Sequence, residues 1–237
     1  MVPRALEPAG VALVDKPAGP SSFAIVAQIR RLTGARTGHA GTLDPFATGL
    51  LLVLSGRTTK IAPCLVGLDK RYLTDVDLTS RTSTGDPEGE IVEPLDPPGE
   101  EELERRLAGL RGEIELPIPA ASAVKIGGER AYRLARRGVE VEMPLRRSVV
   151  HSLDVIAYTG DVVTLDLRVS SGTYIRAIAD AAGGHCQTLR RTEVGPFDVS
   201  DAVAPADFEP GLLIPEADVL AQLEQVRVEQ ACAERTT

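Results

Sequence analysis

The 237-residue sequence has no tryptophan and only four tyrosines, four phenylalanines, three cysteines and three histidines. The cysteines, Cys64, Cys186 and Cys232, are odd in number and far apart, so a disulfide framework is not expected. No cysteine pair has the spacing of zinc ligands, and the histidines do not cluster with the cysteines, which argues against a structural metal. We therefore expect a reduced, cytoplasmic protein that holds no metal.

Long apolar segments are also missing, since the longest aliphatic stretch, Leu50 to Leu54, is far too short to cross a bilayer. The first residues contain no apolar region of the kind that signal peptides have. Hydrophobic residues nevertheless make up 43% of the sequence and charged residues 25%, which is typical of globular domains. A chain of this length can bury a substantial core, so the sequence predicts a folded protein without membrane association.

The formal net charge of −8 is unevenly distributed along the chain. Segments 82–116 and 192–237 each contain eight more acidic than basic side chains, whereas 1–81 and 117–148 each contain four more basic than acidic ones. The acidic segments are explained equally well as solvated surfaces or as one side of a polarised molecule whose other side binds an anionic partner. Charge alone does not decide between these alternatives.

The spacing of apolar residues predicts a mixture of strands and helices. Val11–Val14 is typical of a short buried strand, and a turn after it leads into a helix that Ser21 or Ser22 can cap. The other predicted elements are a strand over 70–78, an amphipathic helix over 101–110, a short basic helix over 131–137 and an alternating strand over 162–169. Their irregular spacing favours an α+β fold with a mixed sheet over a regular βαβ series.

Residues 38–49, with the sequence GHAGTLDPFATG, form the segment richest in chemically informative residues. Three glycines and Pro45 predict a compact loop, and a carboxylate directly before a proline is held on extended backbone. Asp44 is therefore the obvious chemical group. An Asp-Pro pair is also a common turn, and a lone histidine such as His39 is often a packing residue. By itself the loop suits a hydrolase, a phosphate binder or a purely structural turn.

This segment resembles a motif of the TruB family of tRNA pseudouridine synthases, and further segments are similar to family motifs in the family's order. They are 15–22 (DKPAGPSS), 70–72 (KRY), 122–125 (SAVK) with 130–136, 171–176 (SGTYIR) and 189–192 (LRRT). The resemblance covers residues 10–200. It implies a catalytic domain over 1–210, with an α+β pseudouridine synthase fold, a mixed and mainly antiparallel sheet flanked by helices, and an RNA-clasping thumb insertion at about 117–148. Residues 211–237 would be a short acidic tail in place of a complete PUA domain.

The resemblance implies isomerisation of the T-loop uridine at tRNA position 55 to pseudouridine, which requires neither a metal nor an organic cofactor. It makes Asp44 the nucleophile, Arg176 the cation that orients it and keeps it ionised, and Tyr72 the ring that stacks on the target base and helps to move a proton. Extruding a uridine from a folded arm costs on the order of a few kcal/mol. The residues implied to bind substrate are His39, Tyr174, Leu189, Lys16 and Asp86, and those implied to contact the RNA backbone are Lys125, Arg130, Arg133, Arg136 and Arg137.

The sequence departs from the family pattern after Arg176, where residues 179–185 (ADAAGGH) replace a longer helix. We therefore expect a different pocket wall near His185. Two other functions stay open. A catalytically silent tRNA-binding protein or tRNA-folding chaperone would use the same residues without turnover, and an Asp-dependent hydrolase of a nucleoside-like substrate would release the free base. We expect a monomer whose partner is the T-arm of tRNA, with no membrane and no small-molecule cofactor.

Overall fold

A computed structural model describes residues 8–122, 124–131, 137, 139 and 141–234, with side chains described as far as residue 225. The chain divides into two compact units, one formed by residues 1–71 with 190–237 and the other by residues 72–189. Two strands, β4 (Lys70–Asp77) and β12 (His185–Val194), each begin in one unit and end in the other. The segment predicted as an acidic tail is thus assigned to the same unit as the N-terminal residues.

Three strands near the N-terminus organise the first unit: β1 (Gly10–Lys16), β2 (Thr37–Ala40) and β3 (Thr48–Ser55). Strand β3 pairs antiparallel with both β1 and β2, and it pairs in parallel with β12 at Arg190 and Arg191. Every residue of β3 after Thr48 is buried, because neighbours cover both of its faces. The predicted strand over Val11–Val14 is confirmed as part of β1.

Helix α1 (Ser22–Thr33) connects β1 to β2 and begins at its cap, Ser21. The Ser21 hydroxyl accepts a hydrogen bond from the Ala24 backbone N–H, and the helix ends at Gly34 in the left-handed region. The predicted helix and Ser21 as its cap are therefore confirmed. The remaining described elements that lie wholly in this unit are three 3₁₀ helices (Gly56–Ile61, Val199–Asp201 and Pro210–Leu212), α2 (Ala62–Val66), β13 (Phe197–Asp198) and α5 (Glu216–Glu234).

The C-terminal segment contributes to the core of the first unit. Val219 of α5 is fully buried and belongs to the same hydrophobic cluster as Val11, Leu52 and Leu54. Val11 and Ile214 also exchange two backbone hydrogen bonds of 2.9 Å. Residues 211–219 are therefore folded against β1, although their composition indicates only an acidic tail.

The second unit is a sheet with the strand order β12, β4, β11, β10, β7. The long strand β10 (Leu145–Tyr158) pairs antiparallel with β11 (Val162–Val169) and with β7 (Gly112–Pro117). Alternate residues of β11 are buried, as the sequence predicts. The other elements are α3 (Glu100–Ala108), α4 (Ile175–Ala182), and the hairpins β5 (Ser80–Thr82) with β6 (Ile91–Pro94) and β8 (Lys125–Ile126) with β9 (Glu129–Arg130).

The predicted strand over 70–78 and the predicted helix over 101–110 are confirmed as β4 and α3. Most of the predicted basic helix over 131–137 lies outside the described residues. Within the described part of the chain, none of the helices combines the length and the apolar character that crossing a bilayer requires.

Candidate active site

Asp44 lies in a loop between β2 and β3 whose backbone is held by several hydrogen bonds. The Ser22 hydroxyl accepts a hydrogen bond from the Leu43 N–H and donates one to the Leu43 carbonyl, both at 2.9 Å. The Gly19 N–H donates to the Pro45 carbonyl, also at 2.9 Å. Leu43 is buried, whereas the Asp44 side chain is only half-buried. The loop therefore presents one carboxylate from a backbone that is anchored on both sides of it.

Lys16, the last residue of β1, is fully buried against this loop, with an exposed fraction of 0%. Its ammonium donates hydrogen bonds to the carbonyl oxygens of Pro17 and Pro45, both at 3.0 Å, and of Ala47 at 2.6 Å. These bonds match the three donors of an ammonium group. A cation enclosed in this way is not available to an RNA phosphate. We therefore correct the expectation that Lys16 binds the substrate: it holds the Asp44 loop in place.

Arg191 of β12 is a second buried cation, and it joins the loop to β3. Its Nε donates to the Leu50 carbonyl at 2.7 Å, and its Nη2 donates to the Gly41 carbonyl at 3.1 Å. The backbones of β12 and β3 approach so closely that a Cβ atom on Gly49 would lie 2.2 Å from the Arg191 carbonyl oxygen. In the sequence Arg191 belongs to the segment 189–192, which resembles a family motif, but no local pattern predicts that its side chain binds the Asp44 loop.

Lys70, the first residue of β4, is the third buried cation, and its ammonium donates to the carbonyl oxygens of Val66 and Leu68. Its Cε atom would be 3.9 Å from a Cβ atom on Gly41. Burial and the charge of Arg191 lower the pKa of Lys70 to about 8, and Asp69 opposes them. Three buried cations bonded to neutral carbonyl groups make the surroundings of this loop electropositive, which favours an anion there.

His39 of β2 forms an aromatic contact at the edge of the same unit. Its ring meets that of Phe23 edge to face, with centroids 5.1 Å apart, and Phe23 is 70% exposed. Burial and the charge of Arg191 lower the pKa of His39 below its ordinary value of 6.5, so its imidazole is neutral at pH 7. An exposed phenyl ring beside a neutral imidazole is a surface on which a flat nucleobase can stack. The sequence analysis did not single out Phe23.

In the second unit Arg176 is buried, with an exposed fraction of 3%, so it is not a surface charge at a helix start. Its Nη1 donates to the Thr84 carbonyl at 2.7 Å and lies 3.5 Å from Oδ2 of Asp86, and its Nη2 donates to the Ala121 carbonyl at 3.0 Å. The other Asp86 oxygen accepts hydrogen bonds from the Thr84 hydroxyl and the Glu88 N–H. Asp86 thus positions Arg176, and its expected contact with RNA bases stays a prediction.

The other predicted catalytic and substrate-binding residues of the second unit are Tyr72, Leu189 and Tyr174. Tyr72 on β4 and Leu189 on β12 are buried, with 8% and 7% of their surfaces exposed, and β4 and β12 are adjacent strands. Tyr174 is half-buried and directly precedes α4, the helix that contains Arg176. Together with Arg176, these residues therefore lie on two adjacent strands and at the start of one helix of this unit.

The predicted RNA-backbone residues are described only in part. Lys125 and Arg130 are exposed and face each other across the β8–β9 hairpin. Exposed Arg137 forms an ion pair with Glu129, with 2.9 Å between Nη2 and Oε2. Arg133 and Arg136 lie outside the described residues. Among the residues that the structure describes, no group of three or more His, Cys, Asp or Glu side chains could hold a metal ion.

Known proteins with similar sequences and structures define the class of this chain. A tRNA pseudouridine synthase B from Mycobacterium sp. (strain KMS) is 44% identical over 206 residues, which are 81% of this chain and 69% of that protein. The Bordetella avium protein of that name is 42% identical over 223 residues, covering 90% of this chain and 91% of its own. The structure of an H/ACA ribonucleoprotein bound to a substrate RNA containing 2'-deoxyuridine matches with a TM-score of 0.62 and 25% identity. That match covers 85% of this chain and 52% of the other, so this chain spans about half the length of that structure.

The α+β fold with its mixed, mostly antiparallel sheet is that of the pseudouridine synthases, as the sequence predicts. A family model described as TruB family pseudouridylate synthase (N terminal domain) matches residues 30–175. The chain therefore belongs to the TruB family of pseudouridylate synthases, whose enzymes are isomerases. This confirms the resemblance on which the expected function depends.

Proposed function

We propose that the chain isomerises the uridine at position 55, in the T-loop of tRNA, to pseudouridine, with Asp44 as the nucleophile. The observation that carries this proposal is that two buried cations, Lys16 and Arg191, donate hydrogen bonds to backbone carbonyls of the loop that contains Asp44, while a third, Lys70, lies near Gly41 of the same loop. Burying these cations carries a desolvation cost that their hydrogen bonds to carbonyls offset only in part. Their positive charge favours the ionised form of a nearby carboxylate, which is the form that Asp44 needs to act as a nucleophile.

In this proposal Asp44 attacks either the sugar or the base, and the bond between N1 of uracil and the ribose breaks, with its electron pair staying on the base. The detached base rotates and forms a bond from C5 to the same ribose carbon, and the bond that Asp44 formed breaks, which regenerates the carboxylate. C5 then loses its proton, and N1 gains one. Tyr72 stacks on the base and assists that proton transfer. The family resemblance gives Arg176 the role of orienting the Asp44 carboxylate, and within the second unit its guanidinium is held by the carbonyls of Thr84 and Ala121. No group in this sequence of steps requires a metal or an organic cofactor.

The target uridine has to leave the stacked T-arm before it reaches Asp44. We propose that His39, Tyr174 and Leu189 contact the extruded nucleotide and its neighbours. Phe23 joins this set because its exposed ring lies against His39. The basic residues expected on the RNA backbone are Lys125, Arg130, Arg133, Arg136 and Arg137, and such contacts make binding depend on salt concentration. The enzyme acts as a monomer on the T-arm.

The experiment compares the wild-type protein with Asp44→Asn on whole tRNA and on an isolated T-arm stem-loop, with pseudouridine and free uracil measured separately. The wild type should form pseudouridine in both RNAs without releasing uracil. Asp44→Asn should reduce the rate by at least about 10³-fold, because the amide is not a nucleophile, while RNA binding stays within a few-fold. Asp161→Asn is the matched control, since it changes an exposed carboxylate in a loop, and its activity should match that of the wild type.

Four results would contradict the proposal. Binding by the wild type without any pseudouridine would indicate an RNA-binding protein or chaperone. Release of free uracil would indicate a hydrolase. Pseudouridine formation by Asp44→Asn, with deamidation excluded by mass spectrometry, would remove Asp44 as the nucleophile. An equal loss of binding and turnover in Asp44→Asn would mean that the Asp44–Pro45 turn is needed for folding.

A further inference from the structure

Arg146, near the start of β10, makes an unusual contact with Gly172 in the second unit. A Cβ atom on Gly172 would lie 2.1 Å from Nη2, 2.8 Å from Cζ and 3.1 Å from Nε of Arg146. The guanidinium plane thus occupies the space that a side chain at position 172 would need. Gly172 has a φ of +79°, a backbone conformation that also favours glycine. The guanidinium of exposed Arg146 therefore lies against the backbone of Gly172.

The turn that contains Gly172 is itself attached to β10. The Val149 N–H donates to the Ser170 hydroxyl and the Ser170 N–H donates to the Val149 carbonyl, both at 2.8 Å. The Thr173 hydroxyl closes the turn by donating to the Ser170 carbonyl at 2.8 Å. Tyr174 is the next residue, so the same turn carries both the surface under Arg146 and the tyrosine expected to contact RNA.

Arg146 differs from its neighbours in its ionic partners. Successive residues of a strand point to opposite faces, and the next residue, Arg147, lies 3.4 Å from a carboxylate oxygen of Glu115. Exposed Arg111 and Arg137 are likewise paired with carboxylates. Among the described residues, no carboxylate forms an ion pair with Arg146. A guanidinium held in place and not engaged by a carboxylate is suited to a phosphate, because its parallel N–H groups match two phosphate oxygens.

We propose that Arg146 binds a phosphodiester group of the RNA, at the nucleotide next to the one that contacts Tyr174. The proposal rests on the proposed function, since the ligand is the substrate RNA. Packing against Gly172 already restricts the rotamers of Arg146 in the free protein. Arg146 therefore loses less conformational entropy when it binds a phosphate, and the affinity is higher. The contact positions the RNA and is independent of base sequence.

The test measures binding of the T-arm stem-loop over a range of salt concentrations with Asp44→Asn as the parent protein, so that no reaction occurs. Arg146→Ala should weaken binding by about 5- to 10-fold and reduce the slope of log affinity against log salt by about one unit. Arg147→Ala is the matched control, because it removes the same charge from the adjacent position on the other face of β10. It should leave the slope unchanged. Arg146→Lys should bind with intermediate affinity.

A second measurement identifies the phosphate. Each phosphate of the stem-loop is replaced in turn by an uncharged methylphosphonate, and affinity is measured for the parent protein and for Arg146→Ala. One replacement should weaken binding to the parent and have no further effect on Arg146→Ala, as expected for two groups that contact each other. Equal effects of Arg146→Ala and Arg147→Ala, or the absence of any coupled phosphate, would overturn the proposal.

The binding test of Arg146 can be interpreted independently of whether the protein forms pseudouridine. Pseudouridine formation by the protein with Asp44 intact is measured on the same stem-loop. If no pseudouridine forms, the proposed function fails, whereas the difference between Arg146→Ala and Arg147→Ala still decides whether Arg146 binds RNA. Thermal unfolding of each variant should match that of the parent, because the side chain at position 146 is exposed and its replacement leaves the backbone pairing of β10 with β7 in place.

Discussion

The two units bury their positive charges in different ways. In the first unit Lys16 and Arg191 donate to backbone carbonyls of the loop that contains Asp44, and Lys70 donates to the carbonyls of Val66 and Leu68. In the second unit Arg176 also donates to carbonyls, but the Asp86 carboxylate lies 3.5 Å from it. Carbonyl groups carry only partial charges, so the first arrangement stays electropositive, whereas the second is largely neutralised. The buried cations of the first unit therefore favour an anion such as the Asp44 carboxylate, whereas the second unit holds the Arg176 guanidinium in one position.

The largest expected effect concerns Gly49, which allows the backbone of β12 to approach β3. In Gly49→Ala the new Cβ would lie 2.2 Å from the carbonyl oxygen and 2.8 Å from the nitrogen of Arg191, at a φ of +98°. Because these are backbone atoms, we expect a loss of about 4 kcal/mol or more in the free energy of unfolding, measured with urea. Gly38→Ala is the control, since a Cβ there meets open space. Similar stabilities of the two variants would show that the buried-cation environment tolerates a displaced Arg191.

A smaller effect is expected when the neutralised cation of the second unit is removed. Arg176→Met leaves the Asp86 carboxylate buried without its guanidinium, which should cost about 3 kcal/mol of stability. Adding Asp86→Asn should restore part of this loss, because the unpaired charge disappears. Arg81→Met breaks the exposed ion pair with Asp180 and should change stability by less than about 1 kcal/mol. If Arg176→Met is no worse than Arg81→Met in urea unfolding, the pairing with Asp86 does not stabilise the second unit.

Arg191→Lys preserves the charge of the first unit but not its hydrogen bonds. One ammonium cannot reach the carbonyls of both Leu50 and Gly41 as the guanidinium does, so we expect a loss of about 2 kcal/mol. Pseudouridine formation in a single turnover should fall more than RNA affinity, because the Asp44 loop is less firmly held. Arg190→Lys, at the partly exposed contact with Asp15, is the control. Equal losses of turnover and affinity in Arg191→Lys would contradict the positioning role.

A pH dependence of stability is expected from Lys70. Its pKa is about 8 in the folded protein, against an ordinary value of 10.5. Between these values the unfolded chain binds more protons than the folded one, so this group makes the folded state more stable as pH rises from about 8 to 10.5. Lys70→Met lacks the effect. The free energy of unfolding, measured with urea from pH 8 to 10.5, should therefore increase more for the wild type than for Lys70→Met. Parallel plots of this free energy against pH would contradict the burial of Lys70.

Several elements could be predicted because their signals are local. The alternation of β11, the N-terminal cap of α1 and the apolar face of α3 depend on residues within a few positions of one another. The same holds for the Asp44 loop, where glycines, a proline and one carboxylate occur within twelve residues. The resemblance to the TruB family added the candidate residues, and the match of the family model to residues 30–175 confirms the family.

The support of that loop could not be predicted from sequence, because it depends on contacts between distant segments. Arg191 reaches carbonyls at positions 41 and 50, and Lys16 reaches positions 45 and 47. A lysine in a motif that resembles an RNA-binding family suggests a phosphate contact, but only the fold shows that Lys16 is buried. Composition likewise predicts an acidic tail after residue 210, yet Val219 lies in the core.

The sequence by itself determined the family, the order of the main elements and the carboxylate on which the proposed chemistry depends, since these follow from local pattern and motif. The tertiary structure decided which cations are buried, which carbonyls they bind and that Arg146 lies against the backbone of Gly172. The physical reason is that desolvation and hydrogen bonding depend on what surrounds a side chain in space, and residues far apart in the chain supply those surroundings.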